Sequence, residues 1–138
     1  MIGTGFTLDP RLAADTHLVI SLPLCDVLLM NDARYPWLIL VPRRACAVEI
    51  TDLAADEQTL LWQEVNRASA ALRTVAPCDK LNLGALGNIV RQLHAHVVAR
   101  SEGDAAWPGP VWGNGHAVAY QHERFVALLT SLRQTLAN

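Results

Sequence analysis

Apolar runs separated by turn-forming residues predict three strands in the first third of the chain. His17–Leu24 and Asp26–Met30 are two such runs, the first interrupted by Pro23 and the second ended by Asn31–Asp32. Trp37–Val41 is continuously apolar between two prolines, as expected of a strand buried on both faces or at a subunit seam. The short connection between the second and third runs makes an antiparallel hairpin the simplest topology.

The central and final segments have the periodicity of amphipathic helices. Between Asp56 and Val75 the apolar positions recur at alternating spacings of four and three: Leu61, Val65, Ala68, Leu72 and Val75. Acidic residues in the first turn and Pro77 after the last are typical of helix ends. A second stripe predicts a helix at 119–136: Phe125, Leu128, Leu129, Leu132 and Leu136.

Two further strands are predicted between these helices. Lys80–Leu83 is typical of a short strand, Gly84–Gly87 of a turn and Ile89–Ala99 of a longer strand. A loop rich in Gly, Pro and Trp follows at 101–116. One core can serve 138 residues, so the pattern predicts a single domain over 1–138, with residues 101–138 forming its C-terminal loop and helix.

Composition narrows the classes of partner. Hydrophobic residues make up 51% and charged residues 17%, and such an apolar chain favours a homodimer. The net charge is −2 and no basic cluster exceeds Arg43–Arg44, which argues against binding of long nucleic acid. A small anionic ligand needs only one or two cations and stays possible.

Cysteine usage and hydropathy bear on location. The three cysteines are odd in number and form no Cys-x-x-Cys, which argues against a disulfide framework and a zinc ribbon and favours a reducing cytoplasm. The first ten residues lack a signal-peptide pattern, and no apolar run approaches the roughly 18 residues that span a bilayer. We therefore expect a cytoplasmic protein without a membrane segment.

The candidate chemistry lies in the predicted strand at 89–99. Side chains alternate across a strand, so Gln92, His94 and His96 are expected on one face. The opposite, apolar face would pack against the helix: Leu93, Ala95 and Val97. Two imidazoles about 7 Å apart along a strand can bracket one phosphate, one attacking phosphorus and the other donating a hydrogen bond. Glycines and amides nearby suit an anion: Gly84, Gly87, Asn82 and Asn88.

Two other interpretations of the His-x-His pair remain open. The histidines can simply occupy the polar face of a half-solvated strand. They can also bind zinc or iron with a third ligand from elsewhere, for which the candidates are His116, His122, Glu102 and Asp104. No second ligand pair has metal spacing, so phosphate chemistry is favoured and no metal or other cofactor is expected.

Gln92–Val98 resembles the signature of the histidine triad (HIT) family, in which three histidines alternate with apolar residues and two apolar residues follow. The apolar strand that ends in Pro42–Arg44, the position of the long helix and the Trp107–Gly109 segment are also similar to the family. The resemblance implies an α+β, HIT-like fold. We expect an antiparallel sheet of about five strands, one long helix packed on it, a C-terminal helix and a homodimeric assembly.

The resemblance also implies roles for the two histidines. His94 matches the nucleophile that takes a nucleoside monophosphate at its α-phosphate and forms a nucleotidyl-histidine. His96 matches the histidine that contacts the phosphate or the leaving group. The expected activity is hydrolysis or nucleotidyl transfer on a dinucleoside polyphosphate or a nucleoside phosphoramidate.

Polar side chains match the family's substrate-binding positions. Asn88 matches a phosphate-binding side chain and Asn82 a site asparagine before the glycine-containing turn. Asn31, or Asp32 if the register shifts by one, matches the residue that binds the ribose hydroxyls. Gln92 replaces the first histidine of the signature; it can hydrogen-bond but cannot titrate near neutral pH, so an altered rate or substrate range is expected.

The alternative function is a purine-nucleotide-binding module with little turnover that acts through its dimer surface. A metal-binding protein that uses His94 and His96 is the third possibility. Within the loop, Trp107 and Trp112 are expected either to close over a base or the dimer, or to bury the loop against the core.

Overall fold

A five-stranded antiparallel sheet forms the centre of the molecule in the computed structural model, which describes residues 5–138. The elements follow in chain order: α1 (Pro10–Asp15), β1 (Thr16–Ser21), β2 (Cys25–Met30), β3 (Trp37–Pro42), α2 (Ala55–Val75), β4 (Lys80–Gly84), β5 (Ala95–Arg100) and α3 (His122–Ala137). The predicted α+β fold, with one long helix on the sheet and a C-terminal helix, is confirmed.

The strand order β1-β2-β3-β5-β4 places the histidine strand β5 inside the sheet. All neighbouring strands are antiparallel, including the predicted hairpin of β2 and β3. In this register His96 lies between Ile39 of β3 and Gly84 of β4. The continuously apolar strand β3 is buried along its whole length, as its sequence predicts.

Helix α2 covers one face of the sheet with the predicted apolar stripe. Four of the predicted stripe residues belong to a core shared with β2, β3 and β5: Leu61, Val65, Ala68 and Leu72. The buried carboxylate of Glu64 accepts hydrogen bonds from the backbone amides of Leu24 (2.9 Å) and Cys25 (2.7 Å), and so ties α2 to the start of β2. Burial and this nearby carboxylate raise the pKa of the Cys25 thiol.

A second, smaller core covers part of the other face. Residues from α1, three strands and the C-terminal loop form it: Leu12, Leu28, Tyr35, Trp37, Ile39, Val41, Val98 and Val111. Helix α1 starts at Pro10, and the side chain of Asp9 accepts a 2.8 Å hydrogen bond from the Arg11 amide. At six residues it is too short for an apolar stripe, so periodicity did not predict it.

The predicted strand at 89–99 is wrong in its first half, since β5 starts at Ala95. A strand needs a paired neighbour, and pairing with both neighbours ends at this point, although β3 itself continues to Pro42. Pairing with β3 runs no further than Leu40 opposite Ala95, and pairing with β4 no further than Gly84 opposite His96. Residues 85–94 therefore form an irregular loop beside the sheet. In the part of the chain that the structure describes, no helix is long and apolar enough to cross a membrane.

Candidate active site

A cleft of about 550 Å³ opens over the end of β5, a volume typical of small-molecule sites. Helix α1, the 86–90 loop, β3 and the 111–117 segment form its walls. Its lining is mostly apolar and includes both histidines of the His-x-His pair. The cleft is therefore the place where the two imidazoles can meet a ligand.

His94 is buried, with 6% of its surface exposed, and its ring is fixed by its own loop. Its Nδ1 atom lies 2.6 Å from the backbone carbonyl oxygen of Gln92. A carbonyl oxygen can only accept, so Nδ1 carries the proton in the neutral ring. The lone pair then resides on Nε2, the nitrogen that is left to attack an electrophile.

His96 is fixed in the opposite tautomer. The indole N–H of Trp37 donates to its Nδ1 atom at 3.0 Å, so the proton of the neutral ring resides on Nε2. Burial, followed by the neighbouring His94, lowers the pKa of His96 to about 3. The ring centroids of the two histidines are 4.8 Å apart. At neutral pH His96 is therefore a neutral hydrogen-bond donor beside the His94 ring.

The predicted binding residues are only partly brought together. Asn88 lines the cleft. The side-chain oxygen of Asn82 accepts a 2.8 Å hydrogen bond from Arg100, and that of Asn31 accepts a 2.9 Å hydrogen bond from the Tyr120 amide. Neither Asn82 nor Asn31 is among the residues that line the cleft.

Asp32, the alternative for the ribose position, does line the cleft. Its buried carboxylate pairs with the Arg34 guanidinium at 2.8 Å. Burial alone would raise the pKa of this carboxyl group, but hydrogen bonds from Arg34 and from the Val118 amide outweigh burial and lower it. The group is therefore ionised at neutral pH and can accept hydrogen bonds.

The prediction that Gln92 shares a face with the histidines is wrong. Its side-chain oxygen accepts from the Asp9 amide at 2.8 Å, and its side-chain nitrogen donates to the Thr7 carbonyl at 2.8 Å. Alternation across a strand applies only from Ala95 onward, so it does not govern Gln92. Its amide contacts the N-terminal segment instead of facing the cleft.

Sequence reasoning missed the contribution of α1, which brings Arg11 and Leu12 to the cleft. The Asp9-Pro10 pair is a helix-start pattern that would have identified this element. Of the two loop tryptophans, Trp112 lines the cleft and lies 5.4 Å from the His96 ring, while Trp107 packs against Arg100.

A metal ion bound by the His-x-His pair would need a third ligand, and the part of the chain that the structure describes places none beside the two histidines. Among residues 5–138, no group of three or more His, Cys, Asp or Glu side chains is arranged to hold a metal ion. The arrangement instead offers one lone pair, from His94, and one donor, from His96, in a mostly apolar cleft.

The chain is similar to a known protein family and to several solved structures. The model of the HIT domain matches residues 11–103. A histidine triad protein of Sinorhizobium meliloti 1021 is 47% identical, with 96% of this chain and 98% of that chain covered and a TM-score of 0.93. One of Bradyrhizobium japonicum is 48% identical, with the same coverage and TM-score. One of Marinobacter aquaeolei VT8 is 45% identical, with 96% of each chain covered and a TM-score of 0.92.

No curated protein matches the chain. The family model nevertheless covers more than half of it, and the structural relatives cover nearly all of it at well above 30% identity. The chain belongs to the histidine triad family.

Proposed function

We propose that this protein is a nucleotide hydrolase or nucleotidyl transferase that acts at the α-phosphate of a dinucleoside polyphosphate or a nucleoside phosphoramidate. The observation that carries the proposal is the state of His94. Its Nδ1–H donates a hydrogen bond to the Gln92 carbonyl, and its ring lines a cleft large enough for a nucleotide. An imidazole in this tautomer is a nucleophile at neutral pH.

The reaction has two steps. In the first, the Nε2 lone pair of His94 forms a bond to the α-phosphorus while the bond from phosphorus to the leaving group breaks. A phosphate leaving group departs as an anion, whereas an amine leaving group takes up a proton from solvent. In the second step water attacks phosphorus and releases a proton, and the P–N bond breaks. The products are a nucleoside monophosphate and the free His94 ring.

His96 supports both steps as a hydrogen-bond donor. Trp37 occupies the Nδ1 atom of His96, so the Nε2–H group is the one that can donate to a ligand. The His96 ring lies beside the ring of His94. A fixed donor aimed at oxygens that gain charge in the transition state stabilises that state. With its pKa lowered to about 3, His96 stays neutral at working pH and does not transfer a full proton.

The rest of the cleft suits a nucleoside. Apolar and aromatic side chains line it and offer a surface for a base: Leu12, Ile39, Val111 and Trp112. Asp32 provides an ionised carboxylate that can accept hydrogen bonds from ribose hydroxyl groups. Asn88 provides an amide on the wall that carries His94.

The experiment is intact-protein mass spectrometry after rapid, acid-free quenching of reactions with diadenosine tetraphosphate or adenosine phosphoramidate. The parent is expected to gain one nucleoside monophosphate and to form product. His94→Ala is expected to show no adduct and to lose turnover by more than about a thousandfold. His122→Ala is the matched control, because this exposed histidine lies outside the cleft, and it is expected to behave as the parent.

Equal turnover by the parent and His94→Ala would contradict the proposed mechanism. Nucleotide binding by the parent without adduct or product on either substrate would also contradict it. That second result would identify the protein as a nucleotide-binding module.

A further inference from the structure

The side chain of Gln92 pairs with a stretch of backbone as a neighbouring strand would. Its oxygen accepts from the Asp9 N–H and its nitrogen donates to the Thr7 C=O, both at 2.8 Å. These two backbone groups come from residues two apart, and one amide satisfies both. Such reciprocal pairing fixes the position of the segment and its direction relative to the His94 loop.

The segment fixed by Gln92 leads directly into α1. The backbone amide of Asp9 donates a hydrogen bond to Gln92. The Asp9 carboxylate in turn accepts a 2.8 Å hydrogen bond from the Arg11 amide. One turn later Leu12 is buried in the smaller core and its carbonyl accepts the hydroxyl of Thr16. The position of α1 over the cleft is thus determined at one end by Gln92 and in the middle by Leu12.

Helix α1 brings to the cleft the guanidinium group of Arg11, which forms no ion pair among residues 5–138. Four charged side chains line it: Arg11, Asp15, Asp32 and Arg34. Arg34 is neutralised by Asp32 at 2.8 Å. Among residues 5–138 the Arg11 guanidinium forms no ion pair and donates only one hydrogen bond, to the Ile89 carbonyl at 3.2 Å. Its guanidinium therefore retains donors for an anion in the cleft.

We propose that Arg11 binds the phosphate groups of the substrate and that Gln92 is the positioning residue that places Arg11 there. The inference rests on the proposed function insofar as the ligand of the cleft is a nucleotide. A guanidinium matches the geometry of phosphate oxygens and can bind two of them at once. The glutamine that replaces the first signature histidine thus holds the segment that leads into α1.

An amide performs this task and an imidazole does not. The C=O and NH₂ groups of glutamine lie side by side and can face two groups of one extended backbone. The two nitrogens of an imidazole diverge, so a neutral histidine at position 92 can satisfy either the Asp9 amide or the Thr7 carbonyl but not both. Restoring the signature histidine is therefore expected to loosen α1 and to weaken nucleotide binding.

The test compares the affinity of AMP with that of adenosine by calorimetry, which isolates the contribution of the phosphate. Arg11→Gln is expected to weaken AMP binding about tenfold, the typical value of a hydrogen bond to a charged group, and to leave adenosine binding unchanged. Gln92→Ala and Gln92→His are expected to weaken AMP binding in the same sense. Arg73→Gln and Gln63→Ala, both exposed on α2, are the matched controls and should match the parent.

Hydrogen exchange tests the positioning role separately. Gln92→Ala should speed amide exchange in residues 7–15 while exchange in β3 and β5 stays at the parent rate. Arg11→Gln should leave exchange in that segment near the parent rate, because it keeps both Gln92 contacts and removes from the free protein only the exposed hydrogen bond to the Ile89 carbonyl.

These readouts do not require turnover, so they separate the inference from the proposed function. A parent that binds AMP but forms no product contradicts the proposed reaction and leaves the affinities interpretable. Equal AMP affinity in the parent and Arg11→Gln overturns the phosphate contact. Unchanged exchange at 7–15 in Gln92→Ala overturns the positioning role, and a parent that binds neither AMP nor adenosine overturns both proposals.

Discussion

His94 and His96 have the same side chain and opposite hydrogen-bonding states. A backbone carbonyl accepts from Nδ1 of His94, while an indole donates to Nδ1 of His96. The first contact exposes a lone pair and the second exposes a donor, both on Nε2. The hydrogen-bond partner of each Nδ1 atom therefore determines whether the ring offers a nucleophilic nitrogen, as in His94, or a hydrogen-bond donor, as in His96.

The burial of the His96 ring also makes the fold sensitive to acid. His96 titrates with a pKa of about 3 in the folded chain, compared with an ordinary value of 6.5 in the unfolded chain. Between these values the unfolded chain binds a proton that the folded chain does not, so stability falls as pH falls below about 6.5. Protonated His96 would also place an N–H against the N–H of Trp37.

His96→Asn should remove this acid sensitivity. Asparagine does not titrate, and its oxygen can accept from Trp37. Between pH 7 and pH 5 the parent is expected to lose about 2 kcal/mol more unfolding free energy than the variant, measured by chemical denaturation at each pH. His122→Ala, whose ring is exposed, serves as the control and should follow the parent. A parent profile that parallels the His96→Asn profile would contradict the burial of a neutral ring.

At the residue scale, the sequence identified the two histidines through their alternation and their resemblance to the signature. It did not predict the tautomer of His96, because the Trp37 partner lies 59 positions away. It misplaced Gln92 for the same reason, since both partners of that side chain are more than 80 residues distant. Contacts of such separation depend on the completed fold and have no local pattern.

Among the elements, β5 and the loop after it are joined by a buried arginine. Arg100, only 1% exposed, donates two 2.8 Å hydrogen bonds to Asp104 and one to Asn82. Its guanidinium lies over the rings of Tyr35 and Trp107. The Arg100 contact lowers the pKa of Asp104 to about 2, so the pair is ionised at neutral pH. The loop that this pair anchors leads on to Trp112 in the cleft.

Arg100→Met should destabilise the fold by about 3 kcal/mol, because it leaves the nearly buried Asp104 carboxylate without its partner. The unfolding free energy at pH 7 is the measurement. Arg43→Met is the matched control, since its ion pair with Asp26 is more exposed and should cost less than about 1 kcal/mol. Equal losses in the two variants would contradict a special role for the Arg100 pair.

Elements with a strong repeating pattern were predicted and elements without one were not. Helix α2 and strands β1 to β4 agree with the predictions to within a few residues, and the apolar residues of α2, β2 and β3 are largely buried. Helix α1 has only six residues and is capped by Asp9. Strand β5 starts where pairing with β3 and β4 begins. The start of β5 is set by tertiary contacts, which override the local pattern.

For the molecule as a whole, the two outer strands of the sheet differ in their surroundings. Helix α3 contacts the β1 edge, where Arg133 donates to the carbonyls of Leu18 and Val19. The other outer strand, β4, has no further strand beside it within residues 5–138. An unpaired strand edge presents free backbone donors and acceptors to another chain.

Apolar side chains adjoin this edge. Leu83 of β4 and Trp62 of α2 are each 48% exposed, and both line a small apolar depression on the same side of the molecule. Burying such a patch together with the strand edge is favourable, and a second copy of the chain offers the same patch by two-fold symmetry. We propose this surface as the seam of the homodimer that the apolar composition predicts.

The homodimer is tested by sedimentation of the parent and of edge variants. We expect the parent to sediment as a dimer and Leu83→Asp to shift it towards monomer, because the change places a charge in the apolar seam. Val126→Asp is the matched control, since Val126 is similarly exposed on α3, away from the depression, and it should remain dimeric. A monomeric parent would contradict the homodimer. A dimer equally disrupted by Val126→Asp would place the interface on the exposed face of α3.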